Sequence, residues 1–225
     1  MEELLLKALD LLLTVPIVLV ALTFHECAHA LVAYKLGDPT AKHMGRLTLN
    51  PMKHIDVVGA LCMMLCGFGW AKAVPVDMRQ FRNPKRDMAI TALAGPATNL
   101  LLGFIGAFFY ALTVSLLPNS IGSEFVYWLV TILLTFIRNF GVLNIYLAIF
   151  NLIPLPPFDG SRILSAFLSD KYYIKLMQYE RHIALGFFLV LFADSRFLGG
   201  YISGALSAVV YWFFNGFISL FNLFL

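Results

Sequence analysis

Charge is scarce in this chain. Of 225 residues, 13% are charged and 60% are hydrophobic, whereas an ordinary soluble domain carries about 25% charged residues. So little polar surface cannot cover a water-facing globule, and a membrane protein is the first expectation. Cysteine is sparse as well. Cys27, Cys62 and Cys66 are odd in number and lack the second pair of a zinc finger, so they read as free, mostly buried thiols. No cluster of basic residues interleaved with aromatics is present, which argues against a nucleic-acid partner. A cleavable signal peptide is not expected either. Met1-Glu2-Glu3 is acidic, and the first apolar stretch runs directly into the most chemically specific residues of the chain. Internal repeats and low-complexity tracts are absent.

What is present is a series of long apolar runs. A bilayer core needs about 20 mainly apolar residues per helix. Segments at about 4–34, 88–117, 125–153 and 197–225 meet that requirement. A fifth span is expected over about 172–193, with Lys175, Glu180 and Arg181 placed near the interface. The predicted fold is an all-α polytopic membrane protein of about five transmembrane helices. It forms a single domain over 1–225, with a catalytic core at about 4–165 and C-terminal helices at about 171–225. Between the first two spans, Arg46–Leu49 alternates like a short strand, and Gly59–Trp70 is apolar but too short to cross, which suggests a re-entrant segment. Asn83-Pro84 reads as an N-cap with proline at the first helical position.

Lysine and arginine set the orientation. Nine lie between Lys35 and Arg86, and none between Pro118 and Glu124. Arg162, Lys171, Lys175 and Arg181 follow the third span. The first and third connections are therefore expected in the cytosol and the N-terminus outside.

His25-Glu26-Cys27-Ala28-His29 carries the most specific chemistry. Histidines four apart on a helix share a face, so both imidazoles can reach one metal ion. The intervening Glu26 can act as a general base toward a water activated by the metal. Ionisable residues inside a spanning helix cost about 2.5–3.5 kcal/mol each on insertion scales, so they are rare without a function. A hydrolytic zinc site usually has three protein ligands. Val32 and Lys35 stand where an extended zinc motif would place glycine and histidine, so the third ligand must come from elsewhere. Asp159 is the leading candidate. It follows Asn151-Leu152-Ile153-Pro154-Leu155-Pro156-Pro157-Phe158, where three prolines stiffen the backbone, and it precedes Gly160, which permits a tight turn. Taken alone, Asp159 could equally cap a helix that begins near Ser161. Charge bias favours ligation, because it puts His25, His29 and Asp159 on the cytosolic side together.

These pieces resemble the site-2 protease family of intramembrane zinc metalloproteases, peptidase family M50. The matching stretches are HECAH at 25–29, LNPMKHIDVVG at 49–59, AGPATN at 94–99 and NLIPLPPFDG at 151–160, within about residues 20–165. The resemblance is to the compact form, without PDZ or CBS domains. Ala73 stands where proline is expected and Phe158 where leucine is common. The resemblance implies one catalytic zinc ion, Asp159 as its third ligand, Glu26 as base, and Asn99 and Asn151 near the active site, in contact with substrate or the oxyanion. It implies a transmembrane protein or peptide as substrate and the lipid bilayer as surroundings. The expected location is a prokaryotic cell membrane, with a multi-pass chain and the active site toward the cytosol.

Other polar residues carry less. His43 and His54 read as loop residues, with His54 structural or near the ligands. Arg138, Asn139 and Asn144 lie within the third span and either bond between helices or line a watery route to the metal. Gly103 and Gly106 suggest close helix approach or a hinge. Two competing functions remain: a metal transporter or sensor that uses the same ligands and has no need of Glu26, and a different membrane zincin whose third ligand is Glu124 or Glu180.

Overall fold

The computed structural model describes residues 2–56, 59, 71–117 and 122–224, and the backbone only at 2–11 and 170. The re-entrant segment expected at 59–70 lies outside the described residues apart from Gly59, as do Cys62 and Cys66. All described regular structure is helical. It comprises α1 (Glu2–Leu36), α2 (Thr40–His43), 3-10 turns at Pro51–Lys53 and Met78–Gln80, α3 (Pro84–Leu116), α4 (Glu124–Asn151), α5 (Asp159–Ser165), α6 (Asp170–Gln178), α7 (Glu180–Phe197) and α8 (Tyr201–Phe221).

Among the described residues, four helices are long and apolar enough to cross a membrane: Leu12–Leu36, Pro84–Leu116, Glu124–Asn151 and Tyr201–Phe221. This is one fewer than the five expected from sequence. The stretch expected to form one helix from Tyr172 is broken at Tyr179 into α6 and α7. Its charges explain the difference. Lys171 and Lys175 fall on α6, while Glu180, Arg181, Asp194 and Arg196 fall on α7. Split and charged in this way, neither piece by itself has the length and apolar character of the four long helices.

The strand expected at Arg46–Leu49 is absent. Its backbone groups find partners other than a ladder. The Thr48 carbonyl accepts from His54 Nε2 at 2.8 Å, and the Asn50 amide donates to Thr48 Oγ1 at 3.2 Å. Asn50 then caps the turn that Pro51 opens, its side chain accepting from the Met52 amide at 3.1 Å. The β-type contact lies nearby, as an isolated antiparallel bridge between Ile55 and Ala71.

The helix α3 is central and touches α1, α4, α5 and α8. It begins where Asn83-Pro84 predicts, but the Asn83 side chain makes no cap bond. Asp87 reaches back instead and accepts from the Asn83 amide at 2.9 Å. Glycines set its spacing against α4. A Cβ on Gly106 would lie 2.7 Å from Gly141 Cα, and one on Gly103 2.5 Å from Ile145. These glycines therefore serve close approach. On the other side Ala107, Ile145, Val210 and Phe214 form a buried cluster that seats α8 on the α3–α4 pair. Asp194 of α7 fastens the start of α8, accepting from the Ile202 and Ser203 amides at 3.1 Å each.

Candidate metal centre

His25 and His29 project from the span of α1 toward α3, one helical turn apart. Each ring is held through its Nδ1. His25 Nδ1 donates to Asn99 Oδ1 at 2.5 Å, and His29 Nδ1 donates to the Thr91 carbonyl at 2.7 Å. With Nδ1 carrying the proton, each Nε2 presents a lone pair, the tautomer a metal ligand requires. The two Nε2 atoms face each other at 3.0 Å. Gly95 makes this possible: a Cβ there would sit 2.6 Å from His25 Nε2 and would also collide with His29. The helix α3 thus offers a side-chain-free floor under both imidazoles.

The third member arrives through the proline-rich connection. Phe158 is buried, with its ring 4.5 Å from Phe150 and 5.0 Å from Phe187, and so anchors the segment between α4 and α7. Asp159 is the first residue of α5, one past the N-cap position, which Phe158 holds. Its side chain turns to α1, with Oδ2 3.1 Å from His25 Nε2 and 3.2 Å from His29 Nε2. Gly160 is needed for close approach, because a Cβ would fall 2.6 Å from the Leu152 carbonyl carbon.

The geometry fits a tetrahedral zinc ion. Bonds of about 2.0–2.1 Å place neighbouring ligand atoms roughly 3.3 Å apart, and the three atoms form a triangle close to that size. Asp159 Oδ2 is buried and has no hydrogen-bond donor. Two lone pairs and a carboxylate oxygen directed at one point have a cation as their common partner. Among the described residues, His25, His29 and Asp159 are the group with this potential.

Glu26 is buried beside the triangle, and its Oε2 accepts from the Val74 amide at 2.8 Å. Val74 lies in an extended segment held at both ends. The Lys72 amide donates to the His54 carbonyl at 2.9 Å and the Lys72 carbonyl accepts from Arg46. The Asp77 amide donates to the buried Asp38 carboxylate at 2.8 Å. His54 is buried away from the triangle, with its Nε2 committed to Thr48.

The two asparagines separate. Asn99 is 0% exposed, with its acceptor on His25 and its amine donating to the Ala21 carbonyl at 3.2 Å and to Asn144 Oδ1 at 2.9 Å. Asn151, the last residue of α4, donates to the Leu147 carbonyl at 3.0 Å and makes no described hydrogen bond to the centre. Sequence reasoning misses Gly95, Thr91 and Val74. The last two act through backbone atoms, which leave no residue-type signal. Gly95 lies inside the AGPATN stretch but has no local feature that shows what rests on it.

The profile of peptidase family M50 matches residues 13–193. The chain belongs to peptidase family M50. Relatives agree. A Bacillus subtilis protein named "Putative zinc metalloprotease YwhC" is 43% identical over 186 residues, covering 82% of this chain and 80% of that protein. "Putative zinc metalloprotease Rip2" of Mycobacterium tuberculosis H37Rv is 30% identical over 202 residues, 88% of this chain and 71% of its own. "Putative zinc metalloprotease MJ0611" of Methanocaldococcus jannaschii is 32% identical over 143 residues, 63% of each. No solved structure matches. As an M50 member the chain is a zinc metalloprotease of the site-2 protease type, and no PDZ or CBS domain is evident within its 225 residues.

Proposed function

We propose that this M50 protease hydrolyses peptide bonds within or beside transmembrane segments, with His25, His29 and Asp159 as zinc ligands and Glu26 as general base. The carrying observation is that the two histidines lie inside a membrane-length apolar helix and converge with the unpartnered Asp159 oxygen. His29 precedes Leu36, the end of that helix, by seven residues, or about 10 Å of rise. That depth supports a reaction below the membrane surface, within reach of a substrate helix.

When bound, zinc lowers the pKa of a water toward ~7 and polarises the scissile carbonyl. The remaining work falls to the chain. Glu26 takes the proton of the attacking water at its free carboxylate oxygen while Val74 holds the other, then returns the proton to the leaving amine. Asn99 acts through His25: it fixes the ring and its tautomer, and its own full burial keeps it from substrate. Asn151 stays a candidate for substrate contact at the cytosolic end of α4.

Helix register supports a fifth span in α7. Arg138 meets Tyr211 and Gly141 meets Phe214, so α8 runs alongside α4 in the same sense. The chain between them must return across the bilayer, and α7, of 18 residues, is the helix able to do so. The positive-inside pattern puts the centre toward the cytosol of a multi-pass protein, for which a prokaryotic cell membrane is the proposed location.

The deciding experiment uses purified protein and a transmembrane peptide. Glu26→Gln should keep one zinc per chain and lose cleavage, while Asp159→Ala should lose tight zinc. Cleavage retained in Glu26→Gln would reject the base, and tight zinc retained in Asp159→Ala would reject the ligand set.

A further inference from the structure

Arg138 is unused by the chemistry above and costly where it stands. The helix α4 has 28 residues, roughly 42 Å of rise. Arg138 lies near its middle, about 20 Å from either end, while the hydrocarbon core is about 30 Å thick. Its side chain cannot reach either interface by snorkelling. Yet Arg138 is exposed on the surface of the protein. Its described partners belong to one neutral residue: the Tyr211 hydroxyl at 3.3 Å and the Tyr211 ring at 5.5 Å. A central arginine costs about 2.5–3.5 kcal/mol on insertion scales. A single hydrogen bond between helices returns only part of that.

The surrounding surface is shaped for another helix. Thr131 and Thr135 share the face of α4 with Arg138, at spacings of seven and three. On α8, Gly204, Ala208, Tyr211, Asn215 and Ser219 follow one another along an exposed face. Small residues there allow close backbone approach, and polar ones add hydrogen bonds.

We propose that this α4–α8 face docks, inside the bilayer, a transmembrane helix of a second protein that carries an aspartate or glutamate near its middle. Charge complementarity selects the acid. A second copy of this chain does not supply it. Glu26, Asp87 and Asp194 are buried, Asp10 precedes the apolar stretch Leu12–Leu36, and Glu124 sits at the outer end of its helix. Nor does the face present a substrate to the centre. Arg138 lies six residues before Asn144, which is about 9 Å along the helix and roughly 120° around it from the side that faces His25 and Asn99. The partner is therefore an accessory or regulatory membrane protein.

The test uses the full chain in liposomes with synthetic apolar helices of about 25 residues, followed by energy transfer. The helices carry a central Glu, Gln or Leu. Wild type should bind the Glu helix about tenfold more tightly than the Leu helix, with Gln between. Arg138→Leu should abolish the preference and Arg138→Lys should keep it. Zinc content, unchanged in each variant, reports that the fold is intact. If Arg138→Leu does not fold, Arg138→Gln takes its place. Equal binding of the three helices by wild type, or a preference that survives loss of the arginine charge, overturns the proposal. So does energy transfer between labelled copies that depends on Arg138, which would assign the face to self-association.

Discussion

Few residues in this chain are as tightly constrained as Gly95. It carries no chemistry, yet both imidazoles rest on its Cα. Gly95→Ala should weaken zinc binding at least tenfold, measured by competition with a fluorescent chelator, because both rings must turn from their ligand geometry. Asn99 acts at one remove. Outer partners of a ligating histidine are worth about 10–100-fold in metal affinity. Asn99→Leu should fall in that range, and Asn144→Leu, one bond further out, should cost less in the same assay. Wild-type affinity in Asn99→Leu would mean that the His25 ring is oriented by packing alone.

At the scale of elements, the α3–α4 contact is governed by Gly103, Gly106 and Gly141. Gly106→Leu should lower stability in detergent by about 1–3 kcal/mol through overpacking, read as an earlier thermal transition. The Asp194 clasp on α8 offers a milder test. Asp194→Ala should cost about 0.5–2 kcal/mol, the range for a lost helix cap. These elements differ in how far the sequence discloses them. The four long spans are legible because length and hydropathy suffice to define them. The break at Tyr179 is not, since an apolar stretch with charges at one end reads equally as one helix or two. Arg46–Leu49 misleads for a related reason. Alternation describes a strand only where a neighbour can pair with it, and here Thr48, Asn50 and His54 satisfy the backbone locally.

For the whole molecule, orientation is the property to test. In a chain cleared of native cysteines, Ser123→Cys should react with an impermeant thiol reagent on intact cells, and Lys42→Cys should react only after permeabilisation. The opposite labelling would turn the centre toward the outside. The three converging side chains are legible in sequence because helical spacing, a proline-stiffened turn and charge bias each constrain them. Of their supports, Asn99 is reached only through the family resemblance, and Gly95, Thr91 and Val74 are not legible, because they depend on how distant segments come to rest on one another. The seating of α8, through Val210 and Phe214, against Ala107 and Ile145 has a consequence in time. Every group at the centre, from His25 to Asp159, leaves the ribosome before α8 does. At about 5–20 residues per second, the last helix follows seconds later. A nascent chain can thus bring its ligands together while α8 is still being made, and α8 then packs on the α3–α4 pair.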